Sequence, residues 1–274
     1  MSWFVELQRL LPKRGLSRFG GHIANSTWLA PFIINNFIRV YGVDLRDAVR
    51  TEPSAYRHFN DFFTRTLRPE TRPIDATPGA LVCPSDGTLG AHGMISAGQL
   101  IQAKGHRYAL AELLADTSYA ARFHDGTFVT IYLAPKDYHR VHWPLSGDLV
   151  QADYVRGRLF SVNRTTEQGI PGLFARNERL ICRLATPAGP VAVVMVGAFV
   201  VAGIRTTWGD PRSTGIGQSY AVTRGPRAVD SGDELGFFYL GSTVIVCLPA
   251  DSHRLRADLT EGTTLRMGQL LGLR

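Results

Sequence analysis

The chain has 274 residues, of which 45% are apolar, so it can bury the core of one large domain or two small ones. Its formal net charge of +7 at pH 7 favours an anionic partner, either a phospholipid surface or a nucleic acid. Lysines are scarce among the 30 basic residues, which leaves few candidates for a lysine Schiff base. The 3 cysteines are odd in number and lack metal-type spacing, which favours a reducing compartment.

The N-terminal region has a helical pattern in which Trp3, Phe4 and Leu7 share one face. Residues 1–40 contain five basic residues and one acidic residue. Such a stretch could lie in a membrane interface, or it could be a helical arm that packs on the protein's own core. Neither a membrane-spanning run nor a secretory signal is expected, so we interpret the protein as facing the cytosol.

From about residue 80 the pattern changes to short β-type runs that are separated by Gly and Pro. The pattern predicts strands in FVTIYLAP (128–135), VAVVMVGAFVVAGI (191–204) and STVIVCLP (242–249). Leucines at helical spacing predict a single helix over residues 106–116, and residues 205–235 are typical of a long loop or hairpin. The chain is therefore predicted to have a helical front and a β-rich body.

Three short motifs carry side chains that could do chemistry. DYHRVHWP contains His139 and His142, which could ligate a metal, but no third ligand is evident nearby and ordinary loop histidines would look the same. Asp86 lies in CPSDGTLG, whose composition is also typical of a tight turn. Ser242 lies in LGST, where a Gly before a strand commonly marks a bend. Each motif is a weak signal by itself.

Together the motifs supply an Asp, a His and a Ser, which are the groups that activate a hydroxyl. A common α/β hydrolase would show its Ser in a G-x-S-x-G turn between a strand and a helix, and LGST lacks that pattern. The Ser here enters a strand instead. Its nearest target is the carbonyl of Gly241, since a Gly can hold the 241–242 peptide in a strained conformation that is open to attack.

Blocks of sequence along the whole chain resemble the bacterial phosphatidylserine decarboxylases, a pyruvoyl-dependent, self-processing family. The blocks are FNDFFTRTLRPETRPID (59–75), PSDGTLG (84–90), QAKGH (102–106), YLAPKDYHRVHWP (132–144), LFSVN (159–163), LFARNER (173–179), VGA (196–198), ELGFFYLGST (234–243) and RMGQ (266–269). LGST together with DYHRVH is the most specific part of the resemblance.

The resemblance implies that Ser242 attacks the Gly241 carbonyl and that elimination from the resulting ester leaves a pyruvoyl group at position 242. Residues 1–241 would become the β chain and residues 242–274 the α chain. The self-cleavage triad would be Asp86, His142 and Ser242. The pyruvoyl group would form a Schiff base with phosphatidylserine, and His139 would donate a proton to the decarboxylated carbon, which gives phosphatidylethanolamine. Neither a metal nor pyridoxal phosphate is expected.

The resemblance also implies an α+β fold, with a β-rich catalytic body of mostly antiparallel sheets and a helical N-terminal region. We expect a membrane-associating region at residues 1–75 and a catalytic domain at residues 76–274. Tyr138, Phe160 and the FARNER segment (174–179) are expected to line the entrance for the substrate. The processed protomers are expected to form a homodimer on an anionic membrane surface, as a peripheral protein on the cytoplasmic side of the cell membrane, without nucleic acid.

Two other functions remain open at this point. One is a Ser-His-Asp hydrolase that keeps its serine, and the other is a basic peripheral membrane protein without activity. A denaturing gel separates them from the decarboxylase, since only the decarboxylase would be divided at 241/242.

Overall fold

A computed structural model describes residues 24–102, 106–162, 164–198, 203–211, 219–239 and 242–274. The helices are α1 (Ala30–Tyr41), α2 (Phe59–Phe63), α3 (Leu110–Leu114), α4 (Thr117–Ala120), α5 (Arg164–Gly169) and α6 (Leu173–Arg176), with 3₁₀ turns at Pro53–Ala55, Pro69–Thr71 and Ala121–Phe123. The strands are β1 (Ala80–Val82), β2 (Gly87–Met94), β3 (Gln99–Ile101), β4 (Arg107–Ala109), β5 (Thr127–Leu133), β6 (Arg140–His142), β7 (Gly147–Val155), β8 (Arg179–Thr186), β9 (Gly189–Gly197), β10 (Ile204–Thr206), β11 (Ser219–Val229), β12 (Glu234–Phe238), β13 (Ser242–Leu248), β14 (Arg254–Leu255), β15 (Thr264–Leu265) and β16 (Leu270–Leu273).

An eight-stranded sheet in the order β11-β7-β8-β9-β13-β5-β2-β15 forms the centre of the molecule. Every pairing in it is antiparallel. Smaller sheets are β10-β12-β6, β1-β16-β14 and β3-β4. This arrangement confirms the predicted α+β class with mostly antiparallel, β-rich architecture.

Strand β13 lies between β9 and β5, and all its residues are buried. Alternate side chains of a strand point to opposite faces of its sheet. Val244 and Val246 therefore join one core cluster, while Ile245 and Cys247 join the cluster on the other face. Burial on both faces explains why the sequence of β13 is a continuous apolar run rather than an alternating one.

The small β10-β12-β6 sheet packs against one face of the central sheet. Val141, Ile204 and Phe238 from its three strands share a core cluster with Val244 of β13. Because β6 follows directly on DYH, this packing brings the DYHRVH segment to the start of β13. The Phe238 amide donates to the His139 carbonyl at 3.0 Å, which fixes that segment to β12.

Aromatic residues hold the N-terminal helices together. Phe37 of α1 contacts the rings of Phe59, Phe62 and Phe63 on α2, with centroid distances of 4.9 to 6.1 Å. Tyr138 belongs to the same buried cluster. The helical region is therefore packed directly against the segment that carries the two motif histidines. Within the described ranges, no helix is long and apolar enough to cross a membrane.

Three local expectations need correction. The single helix expected over residues 106–116 is not formed, because residues 107–109 form β4 and only Leu110–Leu114 form α3. Helix α3 ends at Ala115, which adopts φ +50°. Asp116 then caps the next helix, α4, by accepting from the Tyr119 amide at 2.9 Å. The run 191–204 divides into β9 and β10, and part of the stretch 205–235 is strand β11, which pairs with β7 at the edge of the central sheet.

Candidate active site

Ser242 is the first residue of β13, as the sequence predicted, and its side chain is fully buried. It lies in register with Gly197 of β9 and Leu133 of β5. Gly241, the other residue of the predicted cleavage site, lies outside the described residues. The hydroxyl of Ser242 is thus held on a central strand and kept from bulk water.

His139 is the histidine that contacts this hydroxyl. Its Nδ1 lies 3.3 Å from Ser242 Oγ, and its Nε2 lies 3.1 Å from the carbonyl oxygen of Ala134. A carbonyl only accepts hydrogen bonds, so Nε2 carries the hydrogen and Nδ1 has the free lone pair. The Ser242 hydroxyl therefore donates to Nδ1. This tautomer makes Nδ1 a proton acceptor at the buried serine.

The surroundings of His139 keep the ring neutral. It is fully buried and stacks on Phe63, with ring centroids 4.1 Å apart. Burial lowers the pKa of His139 from 6.5 to about 3, and the charge of Arg65 acts in the same direction. At neutral pH the ring is consequently a base without a charge.

Arg65 fixes the turn that precedes His139. Its Nη2 donates to the carbonyls of Lys136 and Asp137 at 2.8 and 3.1 Å. The Asp137 carboxylate closes the same turn by accepting from the Ala134 amide at 2.7 Å. Since the Ala134 carbonyl in turn receives His139 Nε2–H, Arg65 sets the position of the imidazole through the backbone.

His142 has different partners from those of His139. Its Nδ1 lies 2.7 Å from the Gly232 carbonyl and therefore carries the hydrogen, while Nε2 accepts from the Tyr138 hydroxyl at 3.1 Å. Burial lowers the pKa of His142, and the hydrogen bond to Gly232 opposes that shift. Neither ring nitrogen of His142 therefore has Ser242 as its hydrogen-bond partner in this arrangement.

Asp86 is held by an arginine. Its carboxylate accepts from Nε and Nη2 of Arg72 at 2.8 and 2.5 Å, and from the Met267 amide at 2.9 Å. Arg72 also pairs with Asp47 at 2.8 Å. Burial lowers the pKa of His142, and the charge of Asp86 is among the smaller effects that raise it. The His142 amide donates to the Pro84 carbonyl at 2.7 Å, which joins β6 to the Asp86 turn.

The structure thus joins Ser242 to His139, and His142 to Tyr138, while Asp86 pairs with Arg72. The contacts do not test the roles predicted for these residues, which stay predictions. Phe160, expected to line the entrance, is buried, and its backbone binds the side chain of Asn177 at 3.1 and 2.9 Å.

Several residues around this site have no individual role that the sequence predicts. Asn177 and Glu178 lie in the FARNER segment, which is expected as a whole to line the substrate entrance, and the others are Phe63, Arg65, Arg72 and Gly197. Each lies in a sequence block that resembles the family, but no motif spacing connects them to Ser242. Their proximity depends on strand register and helix packing, which a motif does not reveal.

Comparison with known proteins agrees with the predicted resemblance. The family model described as Phosphatidylserine decarboxylase matches residues 59–273, and a model described as PSD matches residues 3–42. The chain belongs to the phosphatidylserine decarboxylase family. This membership confirms the recognition made from the motifs, together with the predicted class of enzyme, a carboxy-lyase that is made as a proenzyme.

Curated relatives match the chain over almost its whole length. The phosphatidylserine decarboxylase proenzyme of Ectopseudomonas mendocina (strain ymp) is 48% identical over 277 residues, which cover 98% of this chain and 97% of the relative. The proenzyme of Azotobacter vinelandii is 47% identical with the same coverage. That of Pseudomonas putida (strain GB-1) is 46% identical over 276 residues, covering 98% and 96%.

Proposed function

We propose that this chain decarboxylates phosphatidylserine to phosphatidylethanolamine, with a pyruvoyl group formed from Ser242 when the chain cleaves itself after Gly241. The observation that carries the proposal is the buried Ser242 hydroxyl at the start of β13, which donates to the unprotonated Nδ1 of His139. Membership of the phosphatidylserine decarboxylase family supplies the substrate class.

The residues around position 242 fit a small planar carbonyl group. Gly197, the register partner of Ser242, has no side chain to fill the space beside it, and the site is closed to bulk water. When present, the pyruvoyl group supplies an electron-accepting carbonyl for the electron pair that carbon dioxide leaves behind. Among the described residues, no cluster of His, Cys, Asp and Glu could hold a metal ion.

His139 is proposed to move the proton in the decarboxylation. Its Nδ1 is neutral and faces position 242, so it can take a proton from the headgroup ammonium as that group becomes an amine. The imidazolium then returns the proton to the carbon that has lost carbon dioxide. Burial favours this return, because it disfavours the charged ring.

Self-cleavage is proposed to use Asp86 and His142 with Ser242. The link from His142 to the Asp86 turn and the electrostatic effect of Asp86 on His142 support this assignment. It requires the His142 ring to leave Tyr138 and face Ser242. His139 is the other candidate for the cleavage base, because its lone pair already accepts from the hydroxyl. Substitution of each histidine decides between them.

The N-terminal region, residues 1–75, is proposed to bind the membrane, ahead of a catalytic domain at 76–274. Trp28, in the turn that precedes α1, and Phe32 and Val40, on α1, are 86, 71 and 72% exposed, and we call these three residues the exposed apolar stripe. The opposite face of α1 is buried through Ala30 and Ile34. An exposed apolar stripe of this kind is suited to a lipid interface. The basic residues of positions 1–23 lie outside the described residues.

We further propose that the processed α and β chains stay together as a homodimer on an anionic membrane, on the cytoplasmic side of the cell membrane. Tyr138, whose hydroxyl donates to His142, is proposed to line the entrance for the substrate. A cleft of about 370 Å³, lined by residues that include Arg50, Arg57 and Tyr239, offers an approach for the phosphodiester, since Tyr239 lies three residues before Ser242.

Release of carbon dioxide from carboxyl-labelled phosphatidylserine tests the proposed function. Purified parent protein should release it without added metal or pyridoxal phosphate. Ser242→Ala should release none and should stay one chain, because it lacks the hydroxyl from which both events begin. Activity in Ser242→Ala would contradict the proposal, and ester hydrolysis by an uncut parent chain would favour the hydrolase instead.

A further inference from the structure

Glu178 carries a buried oxygen without a hydrogen-bond partner. The residue is 9% exposed, and its Oε1 has no partner among the described residues. Buried carboxylate oxygens normally accept hydrogen bonds, because an unpaired one costs free energy. An exception of this kind next to a reaction centre therefore points to a ligand that supplies the missing donor.

Strand register places Glu178 beside Ser242. Arg179 pairs with Val196, and the Gly197 amide donates to the Glu178 carbonyl at 2.8 Å, so Glu178 is opposite Gly197. Gly197 is in turn opposite Ser242. Side chains in register on neighbouring strands point to the same face of a sheet. Glu178 and Ser242 consequently project from the same face, with Gly197 between them.

The glycine leaves room for the carboxylate to extend toward Ser242. A Cβ added at Gly197 would lie 3.8 Å from Glu178 Oε1, so the carboxylate reaches across the face of β9. Two strand spacings, about 10 Å, separate the backbones of β8 and β13. The glutamate side chain extends over Gly197 and so spans part of that gap.

We propose that Glu178 binds the primary ammonium of the serine headgroup and positions it beside residue 242. This inference rests on the proposed function. The ammonium is the cationic group of that headgroup, whose carboxylate and phosphodiester are anionic, and it supplies the hydrogen-bond donors that Oε1 lacks. An ammonium held there is also next to His139 Nδ1, which takes its proton.

The test compares Glu178→Gln, Glu178→Asp and the control Glu261→Gln, in which an exposed carboxylate is replaced. Intact mass first establishes that each variant is cut at 241/242 and carries the pyruvoyl group. Inhibition of the processed enzymes is then measured with phosphatidylethanolamine, which has the ammonium, and with phosphatidylglycerol, which does not. KM and kcat for phosphatidylserine in mixed micelles are measured alongside.

Glu178→Gln should be cut normally and should lose its preference for phosphatidylethanolamine over phosphatidylglycerol by roughly 10- to 100-fold, the effect of one hydrogen bond to a charged group. Its KM should rise by a similar factor. Glu178→Asp, which keeps the charge, should recover part of the preference, and Glu261→Gln should match the parent.

The proposal is overturned if processed Glu178→Gln keeps the parent's preference between the two lipids. It is equally overturned if Glu178→Gln and Glu178→Asp both remain uncut, since Glu178 would then serve the cleavage step. A parent protein that releases no carbon dioxide from phosphatidylserine would instead show that the proposed function itself is wrong.

Discussion

His139 and His142 are three residues apart in sequence, yet their ring nitrogens have different partners. Nδ1 of His139 accepts from Ser242, whereas Nε2 of His142 accepts from Tyr138. In each ring the other nitrogen donates to a backbone carbonyl, which sets the tautomer. This carbonyl is that of Ala134 for His139 and that of Gly232 for His142. The two histidines are therefore not equivalent, and substitutions should separate their roles.

His142→Ala should leave the chain mostly uncut, because the proposed cleavage needs this ring between Asp86 and Ser242. His139→Ala should still be cut at 241/242, because its proposed role begins only after the pyruvoyl group exists. It should nevertheless lose at least about a hundredfold in turnover, the usual effect of removing a general acid or base. A denaturing gel and labelled carbon dioxide release measure both effects.

The reverse pattern would reassign the cleavage step. If His139→Ala stays uncut while His142→Ala matures, the base for cleavage is His139, whose Nδ1 already accepts from the hydroxyl. If neither variant is cut, the DYHRVH segment serves the fold, and the division of roles fails.

Substitution of Arg65 tests whether its positive charge lowers the pKa of His139. Burial is the main cause of the lowered pKa of His139, and the charge of Arg65 adds to it, so Arg65→Gln should raise this pKa. Because the neutral ring is the active form, the acid limb of the kcat/KM profile should move to higher pH. Arg65→Lys keeps the charge and should keep the position of the limb, although the weaker hold on the 134–137 turn should lower the rate.

An exposed arginine provides the control for Arg65. Arg254→Gln should leave the profile as in the parent, since residue 254 is exposed. An unchanged acid limb in a processed Arg65→Gln enzyme would show that Arg65 does not govern the protonation of His139.

The exposed apolar stripe on α1 and the turn before it should bind lipid. Replacing Trp28 and Phe32 together by Ser removes two large apolar side chains, each worth about 1.5 to 3 kcal/mol when buried. Binding to anionic vesicles should weaken at least about tenfold, as measured by flotation, while chain cleavage continues. Added salt should also weaken binding of the parent, because screening reduces attraction between exposed charges.

Val150→Ser is the matched control, because Val150 is also an exposed apolar residue, at 41%, but lies on β7. It should bind vesicles as the parent does. Equal binding by the Trp28→Ser/Phe32→Ser protein and the parent would show that the stripe does not contact lipid.

Elements with a strong local signal were predictable from sequence. The run STVIVCLP predicted a strand over 242–249, and β13 covers Ser242–Leu248. The helix predicted over 106–116 was only partly correct, because residues 107–109 pair with β3, a contact that local spacing does not encode. Likewise, β11 forms only because β7 supplies its hydrogen-bond partners. Tertiary pairing overrode the local pattern in both places.

At the scale of the whole molecule, the buried neutral histidine should make stability depend on pH. The pKa of His139 falls from 6.5 to about 3 on folding, so the unfolded chain binds more protons between these values. The free energy of unfolding is therefore not reduced by this histidine above pH 6.5, and it decreases as pH falls from 6.5 toward 3. Between pH 7.5 and 5 the free energy of unfolding should decrease by about 2 kcal/mol because of His139.

Urea unfolding of the uncut Ser242→Ala protein measures this effect. When His139→Gln is added, the decrease in the free energy of unfolding between pH 7.5 and 5 should become smaller by about 2 kcal/mol. Adding His124→Gln, at an exposed histidine, should leave that decrease unchanged. Identical pH dependence with and without His139 would contradict a buried neutral ring.

The candidate site was predictable in its residues but not in its contacts. The motifs and the family resemblance are sufficient to name Asp86, His139, His142 and Ser242. They do not indicate which ring accepts from the hydroxyl, because this depends on the turn held by Arg65. The sequence places Glu178 in the FARNER segment but does not reveal its unpaired carboxylate oxygen, since only the pairing of β8, β9 and β13 brings that oxygen beside Ser242.

The intact mass of the purified protein reveals whether self-cleavage after Gly241 has taken place. We expect two chains, residues 1–241 and 242–274. The smaller one should be lighter, by the mass of ammonia, than the same peptide with an N-terminal serine, and it should resist N-terminal sequencing. A single chain of 274 residues that decarboxylates phosphatidylserine, or a cut at another peptide bond, would show that Ser242 is not the source of the pyruvoyl group.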